Sequence, residues 1–129
     1  MKKFSVRTSE RTEFINITSE VAEAVKESGV TDGVVTVFIP HTTAGVQINE
    51  NADPDVMRDI KVVLDDIVPW SNNYWHAEGN TAAHVKAAMM GTSAQVIVEN
   101  GRLQLGTWQG IYFCEFDGPR QRTVWVKIV

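Results

Sequence analysis

Apolar and polar positions change period several times along the chain, and each change predicts an element. Phe4–Thr8 and Thr12–Ile17 alternate in short runs and predict two strands joined by a polar turn. Thr18 or Ser19 then caps a short helix through Ser28, with Val21, Ala22 and Val25 on one face and Gly29 as a left-handed stop. Val34–Ile39 is β-branched and apolar at successive positions, the pattern of a central strand buried on both faces and ended by Pro40. Ala44–Ile48 predicts another strand.

The dipeptide Asp53-Pro54 predicts a helix start, an N-cap followed by proline at the first helical position. Val56, Met57, Ile60, Val63, Leu64 and Ile67 follow at the helical period, and Pro69 closes the segment. Trp70–Asn80 carries no period and reads as an aromatic loop. Asn80 or Thr81 opens a third helix to about Met90, with Gly91 behind it. The remainder is a β-meander. Gln95–Val98 and Leu103–Leu105 flank the hairpin signal Asn100-Gly101, and Gly110–Phe116 and Thr123–Val129 flank the turn Asp117-Gly118-Pro119. The sum is one α+β domain over residues 1–129. It has seven or eight strands in an antiparallel or mixed sandwich, with three helices packed outside.

Composition narrows the function classes. The net charge of −4 excludes nonspecific nucleic-acid binding, which needs a basic surface, and leaves an anionic substrate to a local cation or a metal. No apolar run approaches the ~20 residues of a membrane span. Met1-Lys2-Lys3-Phe4 lacks an apolar signal core, and the single cysteine, Cys114, makes an internal disulfide impossible. A cytoplasmic location is the expectation. Cys114 alternates with strand neighbours and reads as a small buried hydrophobe, not a nucleophile.

The candidate chemistry centres on three histidines, because imidazole is the commonest metal ligand and titrates near neutrality. His41 ends the predicted buried strand, His76 lies in the aromatic loop, and His84 lies in the first turn of the third helix. Their spacing matches no local metal motif, so a shared pocket and three unrelated histidines both stand on spacing alone. Asn49, Glu50, Asp53 and Glu78 crowd the same segments. Asp53 is read as the helix cap. Glu50 and Glu78 are candidates to orient a metal-bound imidazole, with a capping role for Glu50 left open. Gly106-Thr107-Trp108-Gln109-Gly110 suggests either a packed strand bend or a ligand contact. In the second reading Trp108 stacks on a heterocycle while Thr107 and Gln109 supply hydrogen bonds. Lys86, Arg120 and Arg122 are either phosphate-binding cations or solvated charges.

Taken together, His41-Thr42-Thr43-Ala44-Gly45, Asn49-Glu50-Asn51-Ala52-Asp53-Pro54, His76-Ala77-Glu78-Gly79-Asn80, Ala83-His84-Val85-Lys86 and Gly106-Thr107-Trp108-Gln109-Gly110 resemble the YjbQ family. That family is also called the secondary thiamine-phosphate synthase family. The resemblance covers essentially the whole chain. It implies a seven-stranded, mainly antiparallel β-sandwich with flanking helices, a homotrimer, and a divalent-metal pocket on His41, His76 and His84. Three imidazoles favour zinc over magnesium.

The implied reaction couples hydroxymethyl-pyrimidine diphosphate to a thiazole phosphate. Glu50, Glu78 and Lys86 are its catalytic candidates, and Thr43, Asn49, Thr107, Trp108, Gln109 and Arg122 its substrate-binding ones. A metal-dependent hydrolase and a noncatalytic trimeric protein binding a metal or small anion are the alternatives. Two positions depart from the family pattern. Ala77 stands where many members carry an acidic residue, and Ala83 where relatives often carry a hydroxyl.

Overall fold

The computed structural model describes all of residues 1–129. Two antiparallel sheets form it. The large sheet has the order β1 (Lys2–Arg7), β8 (Gln121–Ile128), β3 (Gly33–Phe38), β5 (Ser93–Glu99), β6 (Arg102–Leu103). The small sheet has the order β2 (Glu13–Asn16), β7 (Gln109–Glu115), β4 (Ala44–Glu50). Helices α1 (Thr18–Ser28), α2 (Pro54–Ile67) and α3 (Thr81–Met90) complete the domain. All eight strand segments of the sequence pattern have a counterpart, one more than the seven that the family resemblance implies; the shortest, at the expected Leu103–Leu105, is the two-residue β6. It pairs Leu103 with Val98 across Asn100-Gly101, whose positive φ angles of 53° and 72° suit a tight hairpin.

The small sheet is a middle layer. Ile111 and Phe113 of β7, with Ala44 and Val46 of β4, pack against the large sheet and α1. Tyr112 and Cys114 of the same strand pack with Met57, Leu64, Ala83 and Ala87 of α2 and α3. The strand buried on both faces is therefore β7, not β3. β3 is central, between β8 and β5, but only Val35 and Val37 are fully buried; its other face leaves Phe38 39% exposed. Those two valines contribute roughly 1.5–3 kcal/mol each. β3 lacks a second core because α2 and α3 cover the small sheet instead.

The helix ends show which local signals held. Asp53 caps α2 by accepting from the Asp55 N–H at 3.0 Å, with Pro54 at the first helical position. Gly29 ends α1 in the left-handed conformation. Thr18 does not cap α1. Its hydroxyl accepts from the Ile111 N–H at 2.9 Å and so ties the helix to β7. Ala22 is exposed, and Ala24 takes its expected place in the core beside Val21 and Val25. Gly45 lets β4 approach the end of α3; a Cβ there would stand 2.7 Å from the Gly91 carbonyl oxygen. No helix is long and apolar enough to cross a membrane.

The two sheets are joined at one end by a buried ion pair. Glu115, at the end of β7, has no exposure, and Arg122, near the start of β8, has 3%. The Arg122 Nε–H donates to Glu115 Oε1 at 2.8 Å and its Nη2 to Oε2; Nη2 also donates to Thr43 Oγ1 at 2.8 Å. The Thr8 hydroxyl and the N–H groups of Phe116 and Asp117 complete the carboxylate's partners. Burial pushes the Glu115 carboxyl up, but Arg122, the Asp117 N–H and Thr8 outweigh it and hold it below the usual range.

A carboxyl lowered by folding stabilises the folded state above its unfolded pKa. The contribution is lost as pH falls through the lower, folded value. Glu115 should therefore give its full share at neutral pH and lose it on acidification below 4.5. Glu115→Gln, which leaves Arg122 buried without its counter-charge, should cost about 3–5 kcal/mol at pH 7 in urea unfolding. It should also flatten the acid limb; an unchanged limb would assign that limb to other carboxyls.

Candidate functional site

Pro40 creates the first feature of the site. Phe38 pairs with Trp125, but Pro40, two residues on, has no N–H to continue the ladder opposite Thr123. The His41 ring occupies that place. Its Nε2 lies 3.0 Å from the Thr123 N and 3.2 Å from the Thr123 O, so the Thr123 peptide anchors the imidazole in either neutral tautomer. Burial first, and the Arg122 charge second, lower the His41 pKa from its ordinary value of 6.5, which favours the neutral ring.

His41 lines a cleft of about 500 Å3 with Phe38, Thr43, Glu78, His84 and Arg120 among its walls. The tight turn His76–Gly79 delivers the opposite wall: the Gly79 N–H donates to the His76 carbonyl at 3.1 Å, with Gly79 at φ +82°. His76 packs edge-on against His84, ring centroids 5.6 Å apart and planes perpendicular, and its Nε2 lies 3.9 Å from Glu78 Oε1. The Asn80 amide bridges two carboxylates, donating to Glu78 Oε2 and Asp117 Oδ2 at 2.9 Å each. Its own oxygen, Asn80 Oδ1, is buried without a partner, as is Thr81 Oγ1. Arg120 folds back on Asp117 through Nε–H to the carbonyl at 2.9 Å and Nη2 to Oδ2 at 3.2 Å.

The donors suit a metal in part. Two imidazoles stand together beside a carboxylate, which matches a divalent transition metal better than magnesium. The His41 Nε2 is engaged by the Thr123 peptide, leaving only Nδ1 for any ligand. Within one chain no group of three or more His, Cys, Asp or Glu side chains is placed to hold a metal ion. The residues would fit a metal held by the two adjacent imidazoles, with its remaining ligands drawn from outside this group.

Of the other expected site residues, Thr43, Glu78 and Arg122 meet at the cleft, and six do not line it. Glu50 accepts from the N–H groups of Ala52 and Asp53 and so shapes the entry to α2; the capping alternative describes its contacts. Asn49 bonds Gln47 and the Glu50 N–H. Trp108 is 64% exposed on the β6–β7 loop, its carbonyl accepting from the Asn51 N–H, and Gln109 accepts from the Gly106 N–H, so Thr107-Trp108-Gln109 forms a tight bend. Lys86 is buried on the other side of α3, where it pairs with the exposed Asp65. Cys114 is buried, and its thiol is pushed up to about 12, which removes it as a nucleophile. Ala77 is exposed and Ala83 fully buried against the α2–β7 cluster.

Sequence reading missed Asn80, Asp117 and Glu115 as site-building residues. Glu115 had a usable signal. A lone carboxylate at the end of the apolar run Ile111–Phe116 requires a cationic partner, and Arg122 opens the next strand.

Residues 2–129 match the family model "UPF0047 protein YjbQ-like". The chain is 54% identical to UPF0047 protein YugU of Bacillus subtilis, covering 100% of this chain and 98% of that one. It is 47% identical to UPF0047 protein MJ1081 of Methanocaldococcus jannaschii, over 98% and 92%. A crystal structure of a YjbQ/UPF0047 family protein from Clostridium acetobutylicum superposes with a TM-score of 0.99 at 60% identity, covering both chains fully. Hypothetical protein APE1520 from Aeropyrum pernix gives 0.94 at 37% identity, over 99% and 96%.

The His41 environment makes a prediction that needs no ligand. An NMR pH titration of the imidazole should place the His41 midpoint below 6.5. A midpoint at or above that value would mean that burial and Arg122 do not act on the ring as described.

Proposed function

The chain belongs to the YjbQ-like UPF0047 family, and on that footing we propose that its histidine cleft is the active site of a metal-dependent enzyme acting on a small phosphorylated substrate. One observation carries the reading: a single cleft gathers His41, His84 and Glu78, with His76 against His84. The local charge supports a metal. Arg120 and Arg122 are offset by Asp117 and Glu115, and Glu78 adds a negative charge, so the cleft by itself does not attract a phosphate. His76 and His84 would hold the ion, zinc in preference to magnesium. When bound, it would stabilise charge on a departing phosphate or pyrophosphate.

The chain's own groups supply the rest. Glu78 is placed to exchange a proton with a substrate in the cleft. His41, neutral and fixed by the Thr123 peptide, offers Nδ1 as a hydrogen-bonding group. Phe38, stacked on Trp125 at 5.7 Å, is the aromatic surface in the cleft; Trp108 is not. This suits coupling of hydroxymethyl-pyrimidine diphosphate to thiazole phosphate, the pyrimidine lying on Phe38, as a secondary activity. The proposal includes a homotrimer. It is supported by apolar side chains left open on α2 and α3, where Val62, Val63, Ile67 and Met89 are each about half exposed.

Metal analysis of wild type, His76→Ala and His84→Ala, with thiamine-phosphate formation assayed on each, tests the reading. Wild type should carry zinc and the variants should lose it together with activity. Unchanged metal in His84→Ala would overturn the site. Metal loss without any wild-type product would overturn the transferase and favour a hydrolase or a noncatalytic metal binder. Light scattering on the same samples should give three times the chain mass; a monomer would remove the assembly from the proposal.

A further inference from the structure

We propose that a second pocket, between α2, α3 and the β1–β2 turn, binds a phosphate dianion, free or as a monoester. It encloses about 480 Å3 and is lined by Arg11, Lys61, Lys86 and Trp70, with Glu10 and Asp65 as its acidic members. It shares no lining residue with the histidine cleft, so the inference stands apart from the reading above.

Lys86 carries the argument. Its residue exposure is 3%, among the buried Ala82, Ala83 and Ala87 of α3. A buried ammonium requires full compensation, and it has three N–H donors. It has one protein partner here, Asp65 Oδ1, on a side chain that is itself 54% exposed. Two donors remain for whatever occupies the pocket.

The neighbouring cations are similarly available. The Arg11 guanidinium lies over the Trp70 ring at 4.1 Å, and its N–H groups have no protein acceptor. Lys61 stands one helical turn before Asp65 and forms no ion pair. Three cations against two carboxylates give a net positive pocket on a chain of net charge −4. Two lysine point charges and a guanidinium fork suit the tetrahedral oxygens and double charge of phosphate better than a single carboxylate. The volume leaves room for a small organic group beside the phosphate.

The test uses full-length protein labelled with 5-fluorotryptophan, the Trp70 signal being assigned by its loss in Trp70→Phe. Inorganic phosphate and glycerol 3-phosphate are titrated separately, with chloride at matched ionic strength as control. The Trp70 resonance should shift saturably with phosphate and not with chloride. Lys61→Glu should weaken binding by about tenfold, one unit on a logarithmic affinity scale. Arg120→Ala, in the other cleft, should leave the Trp70 curve unchanged. Tighter binding of the ester would identify an organic phosphate, and equal binding the free ion; both support the site. A Trp70 signal that ignores phosphate, or responds equally to chloride or in Lys61→Glu, overturns it. If Lys61→Glu does not fold, Arg11→Gln makes the same comparison at an exposed side chain.

Discussion

A carboxylate without solvent and a guanidinium nearly without it meet where the two sheets converge, and much of this molecule is arranged around keeping them satisfied. Leaving either charge unpaired in the interior would cost several kcal/mol, a large part of what a domain of this size has in hand. Glu115 therefore draws Thr8, Arg122 and the main chain of residues 116 and 117 to itself, while Arg122 fastens Thr43. These contacts fix the floor of the histidine cleft. The loop after β3 and the turn before β8 meet because both are tied to the same two side chains.

Above that floor, α3 divides the chemistry of the protein. His84 and Lys86 lie two residues apart, about 200° around a helix, so they cannot share a face. His84 turns to the carboxylate-bearing cleft with His41 and His76, and Lys86 turns to the pocket of Arg11 and Lys61. One pocket carries two imidazoles beside carboxylates, the other three cations against two carboxylates.

How much of this was legible depended on the range of the interaction concerned. Asp53-Pro54, Gly29 and Asn100-Gly101 act through their own backbone, and each did locally what its residue type dictates. β3 and β7 could not be told apart because which sheet receives α2 and α3 is decided by packing between distant segments. Lys86 is close to His84 in sequence, but helix geometry turns it to a different pocket. The glycines flanking Trp108 suggest a heterocycle platform in the sequence, and in the fold they flank a bend whose Trp108 carbonyl accepts from the Asn51 N–H. His41 and His84 reach one cleft through the pairing of β3 with β8 and the turn at Gly79, neither of which spacing reveals.

The break that Pro40 makes in the sheet has a consequence for the dynamics of the cleft. A side chain on an ordinary loop samples several rotamers and surrenders that freedom when it engages a ligand, at a cost of the order of 1 kcal/mol. The His41 ring has taken the place of a peptide group in a β-ladder, and its contacts with Thr123 restrict it as ladder bonds restrict main chain. Much of its ordering is done when the domain folds, so a ligand arriving later finds one wall of the cleft with less entropy to lose than a free loop side chain has.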